Sequence, residues 1–122
     1  MKATTTLAIV EQAAQAALDK KALDLAVLDL NGVASLGGYF LLCTGESSRQ
    51  VQAISNGIEE HLLERGRKPH HIEGYQHAEW ILLDYLDFVV HVFSPKARAF
   101  YDLERLWRPA KRLALPEGKK RK

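Results

Sequence analysis

The stretch Glu79–Phe93 reads as a β-hairpin with apolar side chains on both faces, and it limits the possible folds more than any other part of the chain. Trp80-Ile-Leu-Leu-Asp84 and Phe88-Val-Val-His-Val-Phe93 are rich in β-branched and aromatic residues, as strands are. Tyr85-Leu86, between Asp84 and Asp87, is the expected turn. With Asp84 opposite Asp87, Leu83 pairs with Phe88, Leu82 with Val89, Ile81 with Val90 and Trp80 with His91. Side chains alternate between the faces of a strand. Ile81, Leu83, Phe88, Val90 and Val92 then form one wholly apolar face, which must be core. Trp80, Leu82, Val89, His91 and Phe93 form the other, apolar but with an indole N–H, an imidazole and two carboxylates at its end. That second face has to be covered by the chain's own helices or by a partner.

A chain of 122 residues is one domain by size. It can bury roughly two-thirds of its surface, enough for a core without disulfides or metals. Apolar residues at 47% and charged residues at 26% are the balance of a soluble globular protein. No apolar run approaches the ~18 residues that span a bilayer. Glu11 and Gln12 cut the first apolar stretch too short for a signal peptide. Cys43, the one cysteine, sits in Tyr39-Phe-Leu-Leu-Cys-Thr44 and is expected to be a buried, inert thiol. Without a disulfide partner it suits a reducing compartment. The expectation is a cytoplasmic protein with no membrane contact.

Charge divides the chain unevenly. Residues 1–95 hold 7 Lys/Arg against 12 Asp/Glu, whereas residues 96–122 hold 10 against 3. Much of the excess lies in Lys111, Arg112, Lys119, Lys120, Arg121 and Lys122, after Pro109. The expected division is a folded domain over residues 1–108 and a basic, disordered tail over 109–122. The tail is either a solvated solubility aid or an arm that reaches RNA phosphates.

Along the chain, residues 5–20 predict a helix, with Leu7, Val10, Ala14, Ala17 and Leu18 on one side and a Thr run as N-cap. Residues 23–30 and 39–44 predict strands, separated by the turn signals Asn31-Gly32 and Gly37-Gly38. Ser47-Ser-Arg-Gln50 is a capping box, with Gln50 reaching back to the Ser47 N–H. Val51, Ile54, Ile58 and Leu62 make the stripe of the helix that follows, and Gly66 fits its left-handed end. Residues 70–74 predict a short strand. Ser94-Pro95 opens a last helix with Phe100, Leu103 and Trp107 on one face, ended by Pro109. The fold class is α/β, a mixed sheet of about four to five strands flanked by helices.

No catalytic set emerges. Thr44-Gly-Glu-Ser-Ser48 could bind a phosphate at a helix start. It also resembles the Gly-Ser entry of nucleotidyltransferases, but those enzymes need two metal-binding carboxylates on a strand about ten residues later. Here that stretch is helical, and Glu59 and Glu60 are adjacent on it, so the segment is read as a turn and cap. His70, His71 and His77 match no metal-site spacing. Asp84, Asp87 and His91 lie too far apart in the expected register for acid–base work. No P-loop, dinucleotide fingerprint or nucleophile elbow is present. Neither metal nor cofactor is expected.

Glu73-Gly74, Ala78, Trp80, Asp84, Asp87, His91 and Phe93, spaced E-G-x3-A-x-W-x3-D-x2-D-x3-H-x-F, resemble the signature of the ribosomal silencing factor, or Iojap, family. So do Arg98-x2-Tyr101-x-Leu103-Glu104-x-Leu106-Trp107 and, upstream, Asp24, Asp29, Tyr39-Phe40, Thr44-Gly45, Ser48-Arg49-Gln50-Val51 and Ile54. The likeness covers about residues 5–108. It implies a nucleotidyltransferase-like fold without the metal carboxylates. It also implies a non-enzymatic function: binding the large ribosomal subunit through ribosomal protein fourteen and sterically blocking subunit joining, which represses translation. Organelle relatives help assemble the large subunit. The implied partner-binding residues are Trp80, Leu82 and His91 as anchors, with Asp84 and Asp87 as a charged rim. Gly38 stands where members usually have Asp, and Leu86 where a Gly usually makes the turn. Tyr85-Leu86 suits a two-residue turn poorly, so a wider turn with a register shifted by one residue is the alternative.

Two rival classes stay open beside this implication. One is a small nucleotidyltransferase using Gly45-Glu-Ser47. The other is an assembly factor that forms a homodimer when free, burying its apolar sheet face against a copy of itself.

Overall fold

The computed structural model describes residues 5–33 and 38–114, which form a six-stranded mixed sheet with helices on both faces. The first helix, α1 (Thr6–Asp19), is capped by Thr5, whose hydroxyl accepts from the Ala8 N–H at 3.1 Å. Its buried residues are mostly alanines, so it packs closely on the second helix, α2 (Ser48–Leu63). Val51, Ile54, Ile58 and Leu62 of α2 are fully buried, the stripe that the spacing predicts.

Only half of the predicted capping box forms. The Ser47 hydroxyl accepts from the Gln50 N–H at 3.0 Å. The Gln50 amide oxygen instead accepts from the Glu46 N–H at 2.7 Å, and its nitrogen donates to the carbonyls of Lys20 and Lys21. Gln50 thereby ties the start of α2 to the turn after α1. At the other end Gly66 (φ +79°) lets the Gly66 and Arg67 N–H groups bond back to Leu63 and Leu62, a Schellman closure.

The strands are β1 (Leu23–Asp29), β2 (Tyr39–Thr44), β3 (His71–Glu73), β4 (Trp80–Asp84), β5 (Phe88–Phe93) and β6 (Lys111–Leu113), in the order β3-β4-β5-β2-β1-β6. The central pair β2 and β5 is parallel and every other pair is antiparallel. Central strands buried on both faces read as near-continuous apolar runs, which accounts for Leu41-Leu42-Cys43 and for Val90 to Phe93, interrupted by the buried His91.

The hairpin differs from its expected register by two residues. Trp80 pairs with Phe93, Leu82 with His91 and Asp84 with Val89, and the Tyr85 N–H bonds to the Phe88 carbonyl. The turn centres on Leu86-Asp87, because Leu86 takes a left-handed conformation (φ 75°) that non-glycine residues seldom adopt. A shift of two keeps every side chain on its predicted face. Ile81, Leu83, Phe88, Val90 and Val92 accordingly join the core under α1 and α2.

The predicted last helix is broken. Asp102 (φ 47°) is left-handed and divides it into α3 (Pro95–Tyr101) and α4 (Leu103–Leu106). Leu103 and Trp107 pack on the sheet, but Phe100 is turned out to 78% exposure instead of sharing their face. Lys111 and Arg112, expected in the tail, belong to edge strand β6, which pairs with β1. Lys119, Lys120, Arg121 and Lys122 lie outside the described residues. Among the described residues no helix is long and apolar enough to cross a membrane.

Candidate functional site

The second hairpin face continues across β2 and β1. The register sets Asp84, Val89, Phe40 and Leu28 in one cross-strand row, Leu82, His91 and Leu42 in the next, and Trp80, Phe93 and Thr44 in a third. Ala97 of α3 and Leu103 of α4 close over the Phe93, Leu42 and Leu28 part. Trp80, Leu82, Val89 and Phe40 are left half-buried. Tyr101, 48% exposed, packs on the Trp80 ring at 4.5 Å between centroids, and Phe93 supports that ring at 5.2 Å. The result is a partly open aromatic strip on a rigid sheet.

Trp80 is also pinned from below. Its indole N–H donates to Nδ1 of His91 at 3.0 Å. His91 is only 3% exposed, wedged edge-on against Phe40 at 4.5 Å. Burial pushes its pKa down to about 4, so the ring is neutral near pH 7. Accepting at Nδ1 leaves its proton on Nε2, which is buried without a protein partner. His91 therefore supports the indole from beneath and presents almost no surface of its own.

The two aspartates separate. Asp84 lies in the row beside Val89, and its carboxylate accepts from the Leu86 N–H at 2.8 Å, which stabilises the turn. Asp87 pairs with Arg67 at 2.7 Å and accepts from the Thr6 hydroxyl at 3.0 Å. These partners belong to α1 and to the segment after α2, away from the Trp80 strip. Trp80, Leu82, His91 and Asp84 are thus brought together, and Asp87 is not among them.

An ion-pair clamp fixes the corner that carries Tyr101. Arg98 donates to both Glu104 oxygens at 2.9 Å and to the Thr44 hydroxyl at 2.8 Å, and Arg112 adds a contact to Glu104 at 3.1 Å. The Arg98 hydrogen bond, foremost, holds the Glu104 carboxyl below the usual carboxylate range. Sequence reasoning on the site left out Tyr101, Phe40, Arg98 and Glu104. The family motif contains all four, but their convergence depends on the break at Asp102 and on the sheet order.

Elsewhere, polar groups are committed locally. Ser47 and Gln50 are occupied by the α2 cap. Cys43 is fully buried and its thiol is pushed up to about 12, so it is unreactive. His71 bonds to Glu73 at 2.6 Å, and among the described residues no three His, Cys, Asp or Glu side chains gather as a metal site.

A family model described as "Ribosomal silencing factor during starvation" matches residues 3–122. The Bacillus subtilis protein named ribosomal silencing factor RsfS is 43% identical over 99 residues, covering 81% of this chain and 84% of its own. The chloroplast protein Iojap of Zea mays is 34% identical over 103 residues, 84% of this chain and 45% of its own. A crystal structure of a Chromobacterium violaceum protein superposes with a TM-score of 0.83 at 34% identity, covering 97% of this chain and 98% of that one.

Proposed function

The chain belongs to the ribosomal silencing factor family, and on that premise we propose that it binds the large ribosomal subunit and represses translation by blocking small-subunit joining. Its docking surface is the Trp80 strip, and its partner there is ribosomal protein fourteen. The observation that carries this is the half-buried Trp80 ring, which keeps part of its surface open and is held from below by neutral His91 and from the side by Tyr101. An aromatic ring fixed in advance loses little freedom on binding, as befits an interface hot spot.

Leu82, Val89 and Phe40 supply apolar area around the ring, and Asp84 supplies a carboxylate for basic groups of the partner. His91 contributes by positioning the indole. Asp87 stays with Arg67. Lys111 and Arg112, with Lys119 to Lys122, provide peripheral attraction to ribosomal RNA. The mechanism is occlusion in the cytoplasm with no bond made or broken, and the use of Ser47 and Gln50 in a helix cap supports that non-enzymatic reading.

Sedimentation with purified large and small subunits, followed by a joining assay, tests the proposal. The protein should co-migrate with the large subunit alone and reduce joined particles. Undiminished joining at saturating protein, or co-migration with the small subunit, rejects it. A stable dimer that excludes the large subunit would assign the strip to self-association.

A further inference from the structure

We propose that the groove between α3 and α4 binds single-stranded RNA, with a base stacked on Phe100 and phosphates held by Arg105 and Arg108. The groove is a shallow, open depression lined chiefly by Phe100, Tyr101, Asp102, Arg105, Leu106 and Arg108. Phe100 is 78% exposed and Leu106 66%, an unusual display for large apolar side chains on short helices. Phe100 precedes the break at Asp102, and it points outward while Leu103 and Trp107 beyond the break pack on the sheet.

The charges flanking this ring are uncommitted. Arg98 and Arg112 are both held by Glu104, but Arg105 and Arg108 meet no carboxylate among the described residues. Lys96 lies one helical turn before Phe100, on the same side of α3. Asp102 is the one acid in the lining. A flat exposed ring among free guanidinium groups is the equipment of single-strand binding: π-faces take bases and cations take phosphates. A duplex keeps its bases stacked and offers the ring no partner. An apolar protein surface would leave both arginines unmatched. Tyr101 lines this groove beside Phe100 and also packs on Trp80, so RNA binding here is a second foothold next to the strip, told apart from it by Phe100, Arg105 and Arg108, none of which the strip uses.

The test uses the full chain and a fluorescein-labelled, uridine-rich single-stranded RNA of about 12 nucleotides, followed by anisotropy between about 50 and 200 mM salt. Phe100→Ala should weaken binding about tenfold. Phe100→Leu, which keeps apolar bulk without a π-face, should weaken it comparably. Replacing Arg105 and Arg108 together by Gln should reduce the log–log salt slope by about 1.4. These residues are exposed, so melting temperatures should stay at the wild-type value. Removing Lys119–Lys122 should leave the Phe100 effect in place. Wild-type affinity in Phe100→Ala or Phe100→Leu overturns the proposal, as does binding that vanishes with the tail alone. So does full competition by poly-glutamate that ignores Phe100, which would assign the groove to acidic protein segments. Because the probe is free RNA, failure here leaves the subunit-joining result untouched, and the converse also holds.

Discussion

At the scale of single residues, Trp80 depends on groups that tolerate little change. His91 titrates near 4 in the fold and near 6.5 in the unfolded chain. Between these values the unfolded chain takes up a proton that the folded one refuses, so acid favours unfolding. The contribution is complete above about pH 6.5 and declines as pH falls toward 4, by roughly 3 kcal/mol. Urea titrations at pH 7 and pH 4.5 should show that loss, and His91→Leu should flatten the pH dependence. Gly74 is equally constrained. It has φ +82°, and a Cβ there would stand 2.1 Å from the Trp80 carbonyl oxygen. Gly74→Ala should cost about 2 kcal/mol or more, read as a lower denaturant midpoint.

At the scale of elements, the Arg98–Glu104 clamp joins α3, α4, β2 and β6. Arg98→Ala removes three charge-assisted bonds and should cost about 2 kcal/mol of stability, checked by thermal unfolding. Large-subunit affinity should fall with it, because Tyr101 loses its fixed corner. The clamp was hidden in the sequence, because Arg98 and Glu104 are six apart and meet only across the left-handed Asp102. Aspartate does tolerate that conformation, which was the available signal. The strands β2, β4 and β5 were legible from their β-branched and aromatic runs. The hairpin's faces survived a wrong register because a slip of two preserves alternation. The slip itself came from Leu86, whose positive φ has no residue-type signature. Strand β6, three residues of Lys-Arg-Leu after a proline, carries no strand signal and forms by pairing with β1.

For the whole molecule, the α/β class and the apolar second face could be read in advance, but not the coverage of that face. Coverage depends on the parallel contact of β2 with β5 and on how far two short helices reach, both long-range properties. These helices close over Phe93 and leave Trp80 half-open, and the account of the molecule as an occluding partner rests on that opening. The most direct measurement is the affinity of folded Trp80→Ala for purified large subunits, set against the wild type in one titration. A cooperatively folded variant that binds at least about thirtyfold more weakly, a loss of about 2 kcal/mol, bears out the docking role of the strip. Unchanged affinity would contradict it, as would unfolding of the variant at room temperature, which would place the indole in the core.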